Sequence, residues 1–352
     1  MQGTAAGMNS CTGHKIWYMM DLRKERNDMK ELFSIPYDDY MIDHYGGAEG
    51  LEAMVKATGC DGIEWVWGGE PVTRPMPKNI VNGYHLTFFN DWLDYYLGNT
   101  EVVEERFGHN GKWKEFYRGE GADDLVKRYR FDLEQAIALQ APYTVFHASD
   151  VSIEETYTYQ WNHTDREVID AVVEVINRVY GKEDLGSTLL LENLWWPGFR
   201  FPDPELTREL LERIEYPNKG IILDTGHLMN NNWDLKTQEE AVEYVLKMYR
   251  DHGDLGKYVR AFHLHQSLSG EFARATAGKL PEDLPKDYVE KFCFSYDYIQ
   301  KIDTHQPFTT PAVRKLVEEI RPEWLIHELA AKTGEDMVER IRMQRKALGF
   351  EG

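Results

Sequence analysis

Short apolar runs bounded by turn-forming residues recur along the chain, and most are separated by longer segments in which apolar residues return every three or four positions among many charges. The runs predict strands at 15–20 (KIWYMM), 61–66 (DGIEWV), 83–88 (GYHLTF), 142–147 (PYTVFH), 187–192 (STLLLE), 220–224 (GIILD), 259–265 (VRAFHLH) and 324–328 (WLIHE). The periodic segments predict helices at 48–58, 122–139, 165–180, 203–214, 238–252, 311–320 and 335–348, several opening on helix-start chemistry such as Asp165 or the Pro311 that follows two threonines. Eight strands alternating with helices predict one closed (β/α)8 barrel rather than an open sheet. Nothing in the composition marks a linker or repeat, so the barrel is expected to span 15–352, with 1–14 (MQGTAAGMNSCTGH) as a disordered tail.

Two connections depart from the short-loop pattern. Residues 89–121 carry Phe89, Trp92, Tyr95, Tyr96, Trp113, Phe116 and Tyr117, and residues 266–310 are longer still. Insertions of that size in a compact domain serve as lids or binding loops, here over the barrel mouth.

The chemistry enters at the strand ends. Glu192, Asp224, the His263/His265 pair and Glu328 fall at the carboxyl ends of separate predicted strands, and those ends converge at the active face of a barrel. Each comes after a run containing Leu, Ile or Val, where an unpaired charge is expensive unless it meets a partner or a cation. Three carboxylates with one imidazole make a mostly oxygen site for one divalent ion, which suits manganese first and magnesium, cobalt or zinc after it. His263 and His265 face the same side of a strand, so spacing alone does not choose between them. Trp195 and Trp196 after Glu192, Trp65 and Trp67 at the second strand, and Glu64 beside them are expected to line the mouth for a sugar or aromatic substrate. Arg200 and Arg274 are either anion contacts or solvated surface.

These ends also resemble a known family. ENLWWPG at Glu192, LDTGH from Leu223 to His227, FHLHQS around His263 and HELA at Glu328 look like the strand-end motifs of the xylose-isomerase-like (AP endonuclease 2) TIM barrels. The family spans sugar isomerases, ketose epimerases, dehydratases and trinuclear-zinc endonucleases. Resemblance to the isomerases and epimerases implies one ion held by Glu192, Asp224, one histidine of FHLHQS and Glu328. Glu192 and Glu328 would then be catalytic, moving a proton to and from a sugar carbon through an enediolate. His227, His85, His147 and His305 would contact substrate. Resemblance to the endonucleases implies instead that His85 and His147 share a first zinc with Glu192, and that His227, Asp303 and His305 hold a third. The endonuclease pattern favours His263 as the ligand, and some epimerases favour His265.

Composition bears on which branch is expected. A formal charge of -20 opposes binding to a polyanion, so a small carbohydrate-like substrate is expected and nucleic acid is not. The sugar isomerase or epimerase is thus the favoured expectation, the phosphodiesterase, a dehydratase or a non-catalytic sugar-binding barrel the alternatives. GxGxxG after a strand, the phosphate loop and the GxSxG elbow are all missing, so no nucleotide cofactor is expected. Three widely spaced cysteines, Cys11, Cys60 and Cys293, and no membrane-length apolar stretch suggest a cytoplasmic protein with no membrane partner. Its exposed loops leave room for pairing into a homo-oligomer.

Overall fold

The computed structural model describes residues 29–67, 72–74 and 78–350. Strands β1 (Lys30–Tyr37), β2 (Gly62–Trp67), β3 (Val81–His85), β4 (Tyr143–His147), β5 (Thr188–Glu192), β6 (Lys219–Asp224), β7 (Val259–Leu264) and β8 (Trp324–His327) form a closed parallel barrel in sequence order. β1 pairs with both β2 and β8, which closes the ring. Outside it lie helices α1 (Gly47–Thr58), α2 (Ala122–Ala138), α3 (Asp165–Tyr180), α4 (Pro204–Arg213), α5 (Gln238–Asp251), α6 (Arg314–Ile320) and α7 (Gly334–Leu348). The expected (β/α)8 barrel is therefore the fold. Among the described residues, no helix is long and apolar enough to cross a membrane.

Seven of the eight expected strands match within a few residues, but the first does not. The run 15–20 lies outside the described residues, as does the expected tail 1–14, and the strand that closes the ring is Lys30–Tyr37. Its sequence, KELFSIPY, hides its nature because Glu31 occupies a buried position. That charge is tolerated because His327 Nε2 donates to it at 2.8 Å and Arg345 lies 3.4 Å away.

Alternation along each strand sorts the core. Leu32, Tyr143, Val145, Leu190, Ile222, Ala261, Trp324 and Ile326 fill the barrel interior. Their strand neighbours, such as Leu189, Leu191, Ile221 and Phe262, pack outward in the cluster shared with the helices. Trp65, expected at the mouth, belongs to this outer layer and is fully buried. Helix starts follow local chemistry: Thr164 and Thr237 each form a capping box with the glutamate three residues on.

The two long connections contain structure of their own. The first holds short helices Leu93–Leu97, Thr100–Arg106 and Trp113–Phe116, and the second holds Gly270–Thr276 and the longer Tyr288–Ile302. They meet each other: Phe107 stacks on Tyr288 with centroids 3.7 Å apart, Tyr288 donates its hydroxyl to Asp91 at 3.2 Å, and Lys112 pairs with Asp287 at 2.6 Å. Most of the aromatic residues in the first insertion pack among themselves, as in the Tyr95–Tyr117 stack at 4.2 Å.

Candidate metal centre

Inward parity carries the candidate ligands to one place. Glu192 stands two residues after Leu190, Asp224 two after Ile222, His263 two after Ala261, Glu328 two after Ile326 and His147 two after Val145; each anchor is an interior residue. Each side chain therefore continues the interior column at the C-terminal rim, the end at which TIM barrels build sites. His85, the last residue of β3, joins them.

The donor atoms form three contiguous groups. His85, His147 and Glu192 make the first, Glu192, Asp224, His263 and Glu328 the second, and His227, Asp303 and His305 the third; within each, one atom per residue lies within 4.8 Å of the others. Glu192 belongs to two groups and divides its oxygens between them. Oε2 lies 3.0 Å from His85 Nε2 and 3.0 Å from His147 Nε2, while Oε1 lies 3.1 Å from His263 Nδ1 and 3.3 Å from His227 Nδ1. Glu328 also falls in an overlapping group with His265 and His305.

Outer hydrogen bonds orient the imidazoles. His85 Nδ1 donates to the Leu86 carbonyl at 2.8 Å, His227 Nδ1 to that of Asn193 at 3.0 Å, and His305 Nδ1 to that of Glu328 at 3.0 Å. In each, Nε2 is left facing a carboxylate of the site. His263 is reversed: Nε2 donates to Glu64 Oε1 at 2.9 Å, so Nδ1 faces the second group. Glu64 also accepts from Tyr143 Oη at 2.7 Å. This arrangement, one nitrogen tied to a carbonyl or carboxylate and the other presented, is how proteins preset histidine for a metal. Glu328 Oε2 has no hydrogen-bond partner, although His263 Nδ1 is 3.2 Å away. A donor set of this kind fits divalent cations.

Electrostatics within the cluster follow from burial and mutual charge. Burial favours the neutral acid, yet the charges of His147 and His263 hold Glu192 well below the usual carboxylate range. Burial and nearby acids outweigh the histidines at Glu328, whose carboxyl is raised. Burial lowers His147 to about 4, whereas Asp303 overcomes burial at His305 and raises it to about 10.

The third group depends on the long loop after β7. An antiparallel bridge between Gln266 and Gln306, with N–H···O distances of 2.8 and 3.1 Å, folds that loop back onto the end of β7. Asp303 and His305 arrive with it. His305 takes a left-handed backbone, φ 46°, uncommon for a residue with a Cβ and held here by its ring contacts. Asp303 accepts from His227 at 3.1 Å and His305 at 2.6 Å through Oδ2, and from Ser267 Oγ at 3.0 Å through Oδ1.

Each remaining expected residue has a definite place. His265 donates from Nε2 to Asp224 Oδ2 at 2.9 Å and stacks on His305 at 4.0 Å, so it borders the second group while His263 sits inside it. Gly226 permits that approach, since a Cβ there would meet the His265 ring at 2.0 Å. Trp195 and Trp196 are buried to 4% and 3% exposure, Trp195 lying 5.1 Å from the His227 ring. Glu64 is fully buried below the cluster. Arg200 pairs with Asp165, and Arg274 with Asp234 at 2.7 Å.

Sequence reasoning missed the supports. Asn193 clasps the Asp224 backbone, donating to its carbonyl at 3.0 Å and accepting from its N–H at 2.9 Å. Gln344 of α7 is fully buried and ties three ligand-bearing segments. Its Oε1 accepts from Phe308 N–H at 2.7 Å, and its Nε2 donates to the Leu264 carbonyl and His327 Nδ1, both at 2.8 Å. Leu264 separates His263 from His265, His327 precedes Glu328, and Phe308 follows the Asp303–His305 turn. The only sequence signal was a polar residue on the apolar side of the last helix. Gln344→Leu is expected to leave all three partners unpaired, lowering stability by roughly 2–4 kcal/mol and metal affinity by about 10–100-fold. Urea unfolding and competition against a chelating dye measure the two effects.

The chain belongs to the xylose isomerase-like TIM barrel family, whose model matches residues 116–347. Over 104 residues it is 27% identical to the probable endonuclease 4 of Mycoplasma mobile; that match covers 30% of this chain and 32% of the relative, so it spans about a third of that protein. The crystal structure of endonuclease IV from Thermus thermophilus has a TM-score of 0.51 at 14% identity, covering 92% of this chain and 100% of that one. That of a D-tagatose 3-epimerase-like protein gives 0.49 at 18% identity, covering 92% and 98%. At such identities the endonuclease likeness speaks to the fold alone.

Proposed function

We propose that this protein is a hydrolase of phosphoric esters that works with three divalent cations, rather than the one-ion sugar isomerase favoured by sequence reasoning. The observation that carries the reading is the set of three neighbouring donor groups, the first two sharing Glu192 and the third reached through His227, whose Nδ1 lies 3.3 Å from Glu192 Oε1. A one-ion epimerase uses only the second group. It gives Asp303 no role and makes His85, His147, His227 and His305 substrate contacts only, which does not call for the outer tethers on His85, His227 and His305. Three-ion binding gives every one of them a task. The first and third groups, each two histidines and a carboxylate, suit zinc, and the oxygen-rich second group suits zinc or manganese.

When bound, such ions would neutralise phosphoryl charge and acidify the attacking water. The chain's own residues hold and aim. Glu192 keeps the first two groups in register because one carboxylate serves both. Tyr143 and Glu64 fix the His263 ring from below. Ser267 and the Gln266–Gln306 bridge fix Asp303 from above. In the reaction water adds across one P–O bond: its oxygen goes to phosphorus and a proton goes to the departing oxygen.

The substrate in this reading is a small ester and not a nucleic-acid strand. Net charge is -20, and several cations of the two long connections are paired with acids: Arg106 with Asp91 and Asp94, Lys112 with Asp287, Lys291 with Glu154. Counterion release from a phosphate backbone therefore has little to draw on. A sugar epimerase remains the second reading, favoured by the placement of Glu192 and Glu328 against the same histidine, at 3.1 and 3.2 Å from His263 Nδ1.

Metal analysis with turnover of bis(p-nitrophenyl) phosphate tests the choice. About three ions per chain and chelator-sensitive release of p-nitrophenol support the hydrolase. One ion per chain, no release, and solvent deuterium entering a ketose next to its carbonyl would establish the epimerase instead.

A further inference from the structure

His263 and His265 share a strand face, yet of the two only His263 enters the second donor group. His265 is fully buried, and Thr225 clamps its backbone: the hydroxyl donates to the His265 carbonyl at 2.6 Å and accepts from its N–H at 3.2 Å. The ring edge rests on Gly226, where a Cβ would meet Cε1 at 2.0 Å. The imidazole is thus held in one place, between the second and third groups.

Two contacts leave that ring in different directions. Its Nε2 donates to Asp224 Oδ2 at 2.9 Å, the oxygen that lies 3.8 Å from His263 Nδ1, while Asp224 Oδ1 accepts from the His227 N–H at 2.6 Å. Asp224 is thereby fixed through both oxygens, with Oδ2 presented to the second group. The face of His265 stacks on His305, with centroids 4.0 Å apart and planes 8° from parallel. His305 Nδ1 is tied to the Glu328 carbonyl at 3.0 Å, so the stack limits rotation about that tether and keeps Nε2 on Asp303 at 2.6 Å.

His265 and His305 also lie within donor distance of Glu328. They cannot share an ion as they stand, because an ion binds an imidazole nitrogen in the plane of the ring and two parallel stacked rings have no common in-plane point. His265 Nδ1 makes no hydrogen bond among the described residues. A bare buried acceptor costs stability that an apolar side chain of the same shape would not lose. The imidazole is therefore explained by what its other edge and its face hold.

Resting on the three-ion reading, we infer that His265 is a positioning residue for two ions at once: its Nε2–H holds Asp224 for the ion of the second group, and its ring face holds His305 for the ion of the third. Contacts one layer out from the ligands set ligand orientation and, through it, ion affinity.

Chelator competition for zinc on the full chain separates the two contacts. His265→Gln keeps an N–H donor able to reach Asp224 and loses the ring; His265→Phe keeps the ring and loses the donor. Asp303→Asn, which empties the third group, tells the ions apart. His265→Gln is expected to weaken one ion by roughly 10–100-fold and, combined with Asp303→Asn, to leave the two remaining ions unchanged. His265→Phe in that same background is expected to weaken one of the two by a similar factor. His265→Ala removes both contacts, should weaken both ions, and stands in should the bulkier Phe variant fail to fold. Zinc affinities in His265→Ala within about threefold of the unmodified chain, short of the effect expected for an outer contact, overturn the positioning role. Loss of the same ion from His265→Gln and His265→Phe overturns it too, and makes His265 a ligand. An unmodified chain that binds fewer than three zinc ions overturns the three-ion reading itself, and the inference with it.

Discussion

Glu192→Gln is expected to strip about two of three ions from each chain and to cut turnover by roughly 10³-fold, the rate equivalent of about 4 kcal/mol of lost charge stabilisation. The size follows from position. Glu192 is the one residue common to the first and second donor groups, and each of its oxygens faces two imidazoles. An amide keeps the shape but loses the negative charge and replaces one acceptor with an NH2 group pointed at histidine nitrogens. The fold should persist, because the interior column of Leu190, Ile222, Ala261 and Ile326 is untouched. Metal content by mass spectrometry, initial rates and circular dichroism on one preparation check all three statements. Wild-type metal content with full turnover would remove the basis of the proposed centre.

Asp303→Asn should act on a single group. Asp303 bridges His227 and His305 through Oδ2 and reaches Ser267 through Oδ1. Loss of its charge is expected to release the ion of the third group, leaving about two per chain, and to reduce turnover by roughly 10²-fold, about 2.7 kcal/mol. A one-ion protein would respond differently: Asp303 lies outside the four-residue group, so its content should stay at one. The comparison of Glu192→Gln with Asp303→Asn therefore counts the groups independently of any substrate. It also tests whether the loop after β7, which delivers Asp303, is part of the centre or only rests upon it.

The strand-end reasoning was sound where local pattern and tertiary role coincide. Leu190 to Glu192, Ile222 to Asp224 and Ile326 to Glu328 each show an apolar run closing on a charge with inward parity, and period-two alternation makes that visible without coordinates. His147 was visible in the same way as the last residue of β4, whereas His85 lies inside the predicted run 83–88 and becomes terminal only because β3 ends there. KELFSIPY is hard to read as a strand from sequence, because a buried glutamate looks wrong in isolation. Its partner, His327, lies 296 residues away.

Sequence alone determined the barrel, its order and the rim on which the acids and histidines gather, because those rest on short-range periodicity and on the geometry of parallel strands. Tertiary structure decided how the donors divide. Nothing in FHLHQS says that His263 turns Nδ1 toward Glu192 while His265 stacks on His305, since the two share a strand face and differ only in what packs against them. Nor does IDTHQP announce that a bridge from Gln306 to Gln266 will swing Asp303 against His227. Grouping depends on hydrogen bonds between segments far apart in the chain, and such contacts exist only once the ring has closed.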